Sequence, residues 1–199
     1  MINFNQILPN LYVGTCPTGL EDIEKLKNQC GITAVLNLQS DEDLRGMGLD
    51  WPLLEEHYRK LRIEAERAPM KDFDYNDQRR GLPQAVKILA RLLASGHRTY
   101  LHCNAGAGRS PLVAMAYLYW CRGLPLRNAI RHVEERRPCS PYDELLEVSR
   151  DDLLCTDLVQ KAISRRASKL SIQRGGHGGD TQRYWPEAER EILKKALGR

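Results

Sequence analysis

Three observations predict a layered α/β domain. Stretches with apolar residues at helical spacing alternate with short strand-like runs, the order that packs helices onto a sheet. Residues 34–38, Ala-Val-Leu-Asn-Leu, form a near-continuous apolar run of the kind found in buried strands. Residues 110–121 are apolar on every side, which predicts a helix enclosed at the centre of the molecule. At 199 residues, 42% hydrophobic and 28% charged, the chain suits one domain with a real core.

In chain order, Ile7-Leu8 and Leu11-Tyr12-Val13 flank Pro9-Asn10 and predict a strand pair over residues 6–14. Thr18-Gly19 opens a helix carrying Leu20, Ile23 and Leu26 and ending near Gly31. Residues 41–54 are mixed, with Gly46 and Gly48 marking a loop before a helix near residues 51–60. Residues 61–64 are a further strand candidate. Leu82, Val86, Leu89 and Leu93 space a helix over residues 80–95, and Gly96 supplies its stop. Residues 99–102 form a short strand. Leu126, Ala129, Ile130 and Val133 make an amphipathic helix that Pro138 stops. One long helix is then predicted over residues 142–163, with the stripe Leu145, Val148, Cys155, Leu158 and Ala162. Gly175-Gly176-His177-Gly178-Gly179 reads as a flexible linker, followed by a charged helix over residues 186–197 that Trp185 anchors.

Charge is distributed unevenly. Of 30 Lys+Arg and 26 Asp+Glu, residues 150–199 hold 11 and 7, which leaves 19 and 19 in residues 1–149. A dedicated nucleic-acid binder needs a basic face on its folded body, and this body is neutral. Met1-Ile2-Asn3-Phe4 runs directly into domain-like sequence, so no signal peptide is expected. The strongly apolar stretch at 110–121 is short of the roughly 18 residues a membrane span needs. Cys16, Cys30, Cys103, Cys121, Cys139 and Cys155 include no Cys-x-x-Cys pair. They read as reduced, mostly buried thiols of a cytoplasmic protein, with Cys103 set apart.

Cys103 opens the segment that carries chemistry: His102-Cys103-Asn104-Ala105-Gly106-Ala107-Gly108-Arg109-Ser110. A strand ends at Cys103, five small or polar residues follow, and Arg109 opens a helix. Backbone N–H groups of such a loop can turn inward as an anion nest, to which the helix N-terminus adds partial positive charge. Gly106 and Gly108 allow the tight backbone this needs. Arg109 offers a two-pronged donor that matches phosphoryl oxygens. All of these groups favour a thiolate at Cys103, placed for in-line attack on a phosphate monoester to give a phosphocysteine. His102 is placed to orient the loop from behind, and Ser110 to donate to the thiolate when it leaves. The leaving alkoxide needs a proton, and Asp72, Asp74 and Asp77 on an upstream loop are equivalent candidates by chemistry alone.

His102-Cys103-x5-Arg109-Ser110 resembles the signature loop of cysteine-dependent phosphatases, and the short domain resembles their dual-specificity branch over roughly residues 3–160. The resemblance implies a twisted, largely parallel central sheet flanked by helices, with no metal and no organic cofactor. It also implies a catalytic domain over residues 1–163 and, over 164–199, a linker and a C-terminal helix packed on the core. Lys71-Asp72-Phe73-Asp74, Leu82-Pro83-Gln84-Ala85-Val86, residues 36–41 and Arg136-Arg137-Pro138-Cys139 are further similar to the glucan phosphatases, which release phosphate from phosphorylated starch or glycogen.

By that resemblance Asp72 is the acid and Phe73 lines the sugar channel, while Asn104, Ala105, Gly106, Ala107 and Gly108 surround the phosphate. The plant enzymes carry an aromatic pair where this chain has Gly46 and Met47, which leaves Trp51, Tyr58 and Tyr75 as candidates for stacking on sugar. The chain begins at the catalytic domain, so any grip on glucan is expected from that domain's own surface. Asn104, Ala105 and Ala107 are neutral, which fits a sparsely phosphorylated polysaccharide better than a highly anionic headgroup. The expectation is a monomeric phosphatase acting on phosphorylated polysaccharide or oligosaccharide, without nucleic acid or membrane. The alternatives are a dual-specificity protein phosphatase and a non-catalytic binder of phosphorylated ligands.

Overall fold

Alternation within the strands sorts the sheet into two faces. The computed structural model describes residues 2–176 and 181–197, so His177, Gly178 and Gly179 of the expected linker lie outside the described residues. The strands β1 (Phe4–Leu8), β2 (Leu11–Gly14), β3 (Ala34–Asn37), β4 (Glu64–Arg67) and β5 (Thr99–His102) form one sheet in the order β1-β2-β5-β3-β4. β1 and β2 pair antiparallel and the other three pairings are parallel, so the largely parallel sheet stands as expected. Tyr12, Val35 and Tyr100 share one row of the register and Val13, Leu36 and Leu101 the next. Successive side chains point to opposite faces. The tyrosine row meets Ile23, Leu26 and Cys30 of α1 (Leu20–Cys30) and Leu54 and Tyr58 of α3 (Trp51–Lys60).

The leucine row faces α4 (Tyr75–Ala94) and α5 (Arg109–Ala116), and its core continues into α6 (Leu126–Glu134), α7 (Leu145–Leu154), α8 (Asp157–Gln173) and α9 (Thr181–Ala196). Ile163, Ala167 and Leu170 of α8 and Tyr184, Ala188 and Leu193 of α9 belong to that same core, with Trp185 packed against it. The division expected after residue 163 falls inside α8, which runs unbroken to Gln173. Tail charges are partly paired: Arg166 meets Glu191 at 2.6 Å, Arg174 meets Glu187 at 2.8 Å, and Arg150 pairs with Glu189.

Several boundaries differ from expectation for identifiable reasons. The stretch expected as loop holds α2 (Asp41–Gly46), opened by a capping box in which Ser40 Oγ accepts from Asp43 N and Asp43 accepts from Ser40 N. β4 begins three residues later than expected, because Arg62, at φ +56°, turns the chain out of α3 first. Its polar sequence pairs at the sheet edge, where Arg91 bridges Glu64 and Glu66. α4 starts at Tyr75, five residues early, because Asp74 caps it by accepting from Asp77 N. Pro83 inside α4 leaves Arg79 O without its helical donor, and Ser149 Oγ donates there at 3.1 Å. The helix expected over 110–121 is α5 followed by a π-helical turn, Tyr117–Cys121, from which Trp120 Nε1 reaches Leu146 O at 2.9 Å. The long helix expected over 142–163 is broken into α7 and α8, with Gln160 Nε2 closing on Leu154 O. Of its expected stripe Leu145 is buried, but Leu158 is 82% exposed, and Leu146, Ser149, Leu154 and Ile163 are buried in its place. α9 starts at Thr181, five residues before the expected start.

Candidate active site

β5 lies between β2 and β3, and His102 at its end registers with Gly14 and Asn37. The loops that follow these three strands therefore gather at the carboxyl edge of the sheet, where open α/β sheets bind ligands.

The loop after β5 is held from outside by its carbonyls. Asn104 O accepts from Cys16 N at 2.9 Å, Ala105 O from Arg137 Nη2 at 2.9 Å, Gly106 O from Arg137 Nε at 2.5 Å, and Ala107 O from Ser140 N at 2.9 Å. A trans peptide points its N–H opposite to its carbonyl. Four outward carbonyls in succession thus turn the N–H groups of Ala105, Gly106, Ala107 and Gly108 to the inner side. Inward N–H groups in this order have the arrangement that an anion nest requires. Gly106 stands at φ +68°, and a Cβ there would meet Gly14 O at 2.4 Å and Arg137 Nη2 at 2.5 Å. Gly108 has an ordinary φ of −111°, so the need for glycine conformation expected at both positions applies to Gly106.

At the floor, Cys103 is buried, with its Sγ 3.4 Å from Ser110 Oγ. His102 is also buried. Burial, helped by the Arg109 charge and opposed by the bond to Cys103 O, pushes its pKa down to about 4. The ring is therefore neutral near pH 7. Because a carbonyl only accepts, Nδ1 carries the hydrogen donated to Cys103 O at 3.2 Å, and the ring stacks on Tyr100. Through that bond the ring contacts the backbone at the start of the loop.

Arg109 is fully buried. Its Nη1 donates to Asp43 Oδ2 at 2.6 Å and to Met70 O at 2.7 Å, and its Nη2 meets Asp72 Oδ2 at 2.9 Å. The three candidate acids are thereby sorted by geometry. Asp74 caps α4, Asp77 accepts from Lys71 N at 2.7 Å, and Asp72 faces Arg109. The Asn104 side chain turns away from the nest, donating to Asp43 Oδ1 at 2.6 Å and accepting from Gln39 Nε2 at 2.8 Å.

The expected aromatics divide. Phe73 stands at φ +55°, 87% exposed, directly after Asp72. A phenylalanine in that backbone region is strained. Tyr75 turns onto Tyr142 at 5.5 Å. Trp51 packs against the core of the tyrosine face beneath Arg67, and Tyr58 is buried in that core. Neither lines the cleft beside the loop, which is walled by Ser40, Glu42, Asp43, Met47, Asp72 and Asp74 together with Lys71 and Asn104.

Two residues of the site were not singled out from the sequence. Asp43 could have been found only as the third helical residue of the Ser40 capping box, and Arg137 only as part of an arginine pair before Pro138.

Residues 11–147 match the family model described as the dual specificity phosphatase catalytic domain. The chain is 35% identical over 165 residues to the amyloplastic phosphoglucan phosphatase DSP4 of Castanea sativa, covering 82% of this chain and 44% of that protein. It is likewise 35% identical over 153 residues to laforin of Mus musculus, covering 72% of this chain and 46% of that one. The chain thus spans less than half the length of these relatives. A crystal structure of kinase associated phosphatase, with its catalytic cysteine replaced by serine, aligns at a TM-score of 0.64 and 22% identity. It covers 78% of this chain and 97% of that one, and shows the shared fold.

Proposed function

The chain belongs to the dual specificity phosphatase family, and from that premise we propose that it is a cysteine-dependent phosphatase that hydrolyses phosphate monoesters on phosphorylated glucan. In the proposed mechanism the Cys103 thiolate attacks phosphorus as the ester P–O bond breaks, and Asp72 gives its proton to the departing sugar alkoxide. The nest and Arg109 stabilise the charge spread over the transferring phosphoryl oxygens. Water, deprotonated by Asp72, then attacks the phosphocysteine, and Ser110 donates to the sulfur as it leaves as thiolate.

The observation that carries the substrate class is the character of the cleft wall. Glu42, Asp43, Asp72 and Asp74 line it with a single cation, Lys71, and Phe73, between two of these aspartates in the chain, is exposed. Such a rim repels a ligand dense in negative charge, while it tolerates a neutral polymer carrying an isolated phosphate and offers that polymer an aromatic face. The identities to a phosphoglucan phosphatase and to laforin support the same reading. The reading includes a role in carbohydrate metabolism, action as a monomer without nucleic acid or membrane, and a cytoplasmic site of action. Among the described residues no helix is long and apolar enough to cross a membrane.

Phosphate release per enzyme from amylopectin or glycogen, compared with release from phosphopeptides, tests the proposal. Glucan is expected to be the faster substrate. A preference for peptides of about tenfold, roughly 1.4 kcal/mol in the barrier, would replace this reading with a dual-specificity protein phosphatase. Binding of phosphorylated ligands without turnover of p-nitrophenyl phosphate would replace it with a non-catalytic binder.

A further inference from the structure

Two carboxylates hold the Arg109 guanidinium, and they are not equivalent. Asp43 Oδ2 accepts from Ser40 N at 2.8 Å, Ser40 Oγ at 2.9 Å and Arg109 Nη1 at 2.6 Å, and its Oδ1 accepts from Asn104 Nδ2 at 2.6 Å. Its side chain is 12% exposed. Burial by itself would raise this carboxyl, but the bonds from Arg109, Asn104 and Ser40 outweigh it and hold the group below the usual carboxylate range. Asp72 is less firmly tied. It meets Arg109 Nη2 as an ion pair without an aligned hydrogen bond, reaches Asn104 Nδ2 only at 3.5 Å, and is 31% exposed.

The guanidinium is therefore saturated on one side and open on the other. Nη1 has Asp43 and Met70 O, whereas Nε has no hydrogen-bond acceptor among the described residues. The Nε–Nη2 edge is the pair of donors that takes two phosphoryl oxygens side by side. Resting on the reading of Arg109 as the phosphoryl clamp, we propose that Asp43 is a positioning residue. It is a fixed counter-ion that anchors Nη1 and aims the Nε–Nη2 edge into the nest, while Asp72 is an exchangeable one that an arriving phosphoryl group displaces.

The proposal predicts effects of opposite sign. Two carboxylates beside an anion site both repel the anion, so neutralising either should tighten binding unless one has a second duty. Asparagine at position 43 cannot satisfy the four donors that Asp43 accepts. Whichever way its amide faces, its own NH2 meets Asn104 Nδ2 on one side or Ser40 and Arg109 on the other. Calorimetric binding of tungstate to the full chain reads this without turnover and without glucan. Asp43→Asn is expected to weaken binding about tenfold, and Asp72→Asn to tighten it. Tightening by both, or no change with Asp43→Asn, would overturn the proposal.

If Asp43→Asn does not fold, Asp43→Glu decides. Glutamate is the common residue at this position of a capping box, so α2 stays capped and the charge stays, but the longer arm moves the carboxylate out of line with Nη1. A loss of tungstate affinity is expected, and wild-type affinity would overturn the proposal. A wild-type protein that binds no tungstate would sink the clamp reading itself, which separates the two failures.

Discussion

Replacing Arg137 by methionine should disable the nest without removing any group that touches phosphate. Arg137 is buried, and burial pulls its guanidinium below the ordinary arginine range, with Tyr100, Cys103 and Cys139 acting in the other direction. It holds Ala105 O and Gly106 O, while its Nη1 reaches Asn3 and Asn5 Oδ1 at 3.1 and 2.9 Å. Methionine fills much of the volume but leaves both loop carbonyls unpaired, at about 1–3 kcal/mol each. Removing a buried cation offsets part of that cost. The net loss of stability should be about 3 kcal/mol, read by urea denaturation. Freed of this brace, the peptides before Gly106 and Ala107 can turn their N–H groups out of the nest. Loss of one such donor costs about 100-fold or more in kcat, so turnover of p-nitrophenyl phosphate should fall at least that far. Arg137→Lys, which can reach one carbonyl but not both, should fall between. Wild-type turnover in Arg137→Met would refute the argument that outward carbonyls create the inward donors.

Three further outcomes are expected. Gly106→Ala should destabilise by about 3 kcal/mol, from the left-handed backbone and from contact with Gly14 and Arg137, whereas at Gly108 an added Cβ has no described atom within 4 Å; thermal melts of the two alanine variants compare them directly. Ser149→Ala should cost about 1–2 kcal/mol in urea denaturation, because Arg79 O then loses the donor that stands in for Pro83. His102, with its folded pKa depressed to about 4 from 6.5, contributes stability that is present above pH 6.5 and lost as the pH falls toward 4. Its share of that loss is about 3 kcal/mol, so denaturation midpoints of His102→Gln should depend less steeply on pH over this window.

What was legible in the sequence was what is local. The strand, small-residue loop and helix from Thr99 to Ala116 are contiguous, so Cys103, Arg109, Ser110 and His102 could be named with their geometry. Asp43 and Arg137 act across the fold: Asp43 is 61 residues from Asn104, and Arg137 is 31 from Gly106. Nothing in local spacing marks such partners. α2 was hidden because it is a six-residue helix specified by one capping box rather than by an apolar stripe. β4 was displaced because its Glu-Ala-Glu-Arg sequence carries no strand signal and pairs through the register of β3. The early start of α4 depends on a tertiary bond, from Ser149 to Arg79 O, that excuses Pro83 inside the helix. Tyr58 lies in the core of the tyrosine face with Trp51 half-buried against it, a placement the sequence does not show because an aromatic's type does not tell which layer buries it.

The proposed hydrolysis rests on the thiolate of Cys103 as nucleophile. Acid quenching of the enzyme during turnover of radiolabelled p-nitrophenyl phosphate, followed by peptide mapping, reads this directly. Covalent label is expected on the peptide containing Cys103, and none in Cys103→Ser. Label on another residue, or sustained turnover by Cys103→Ser, would contradict it.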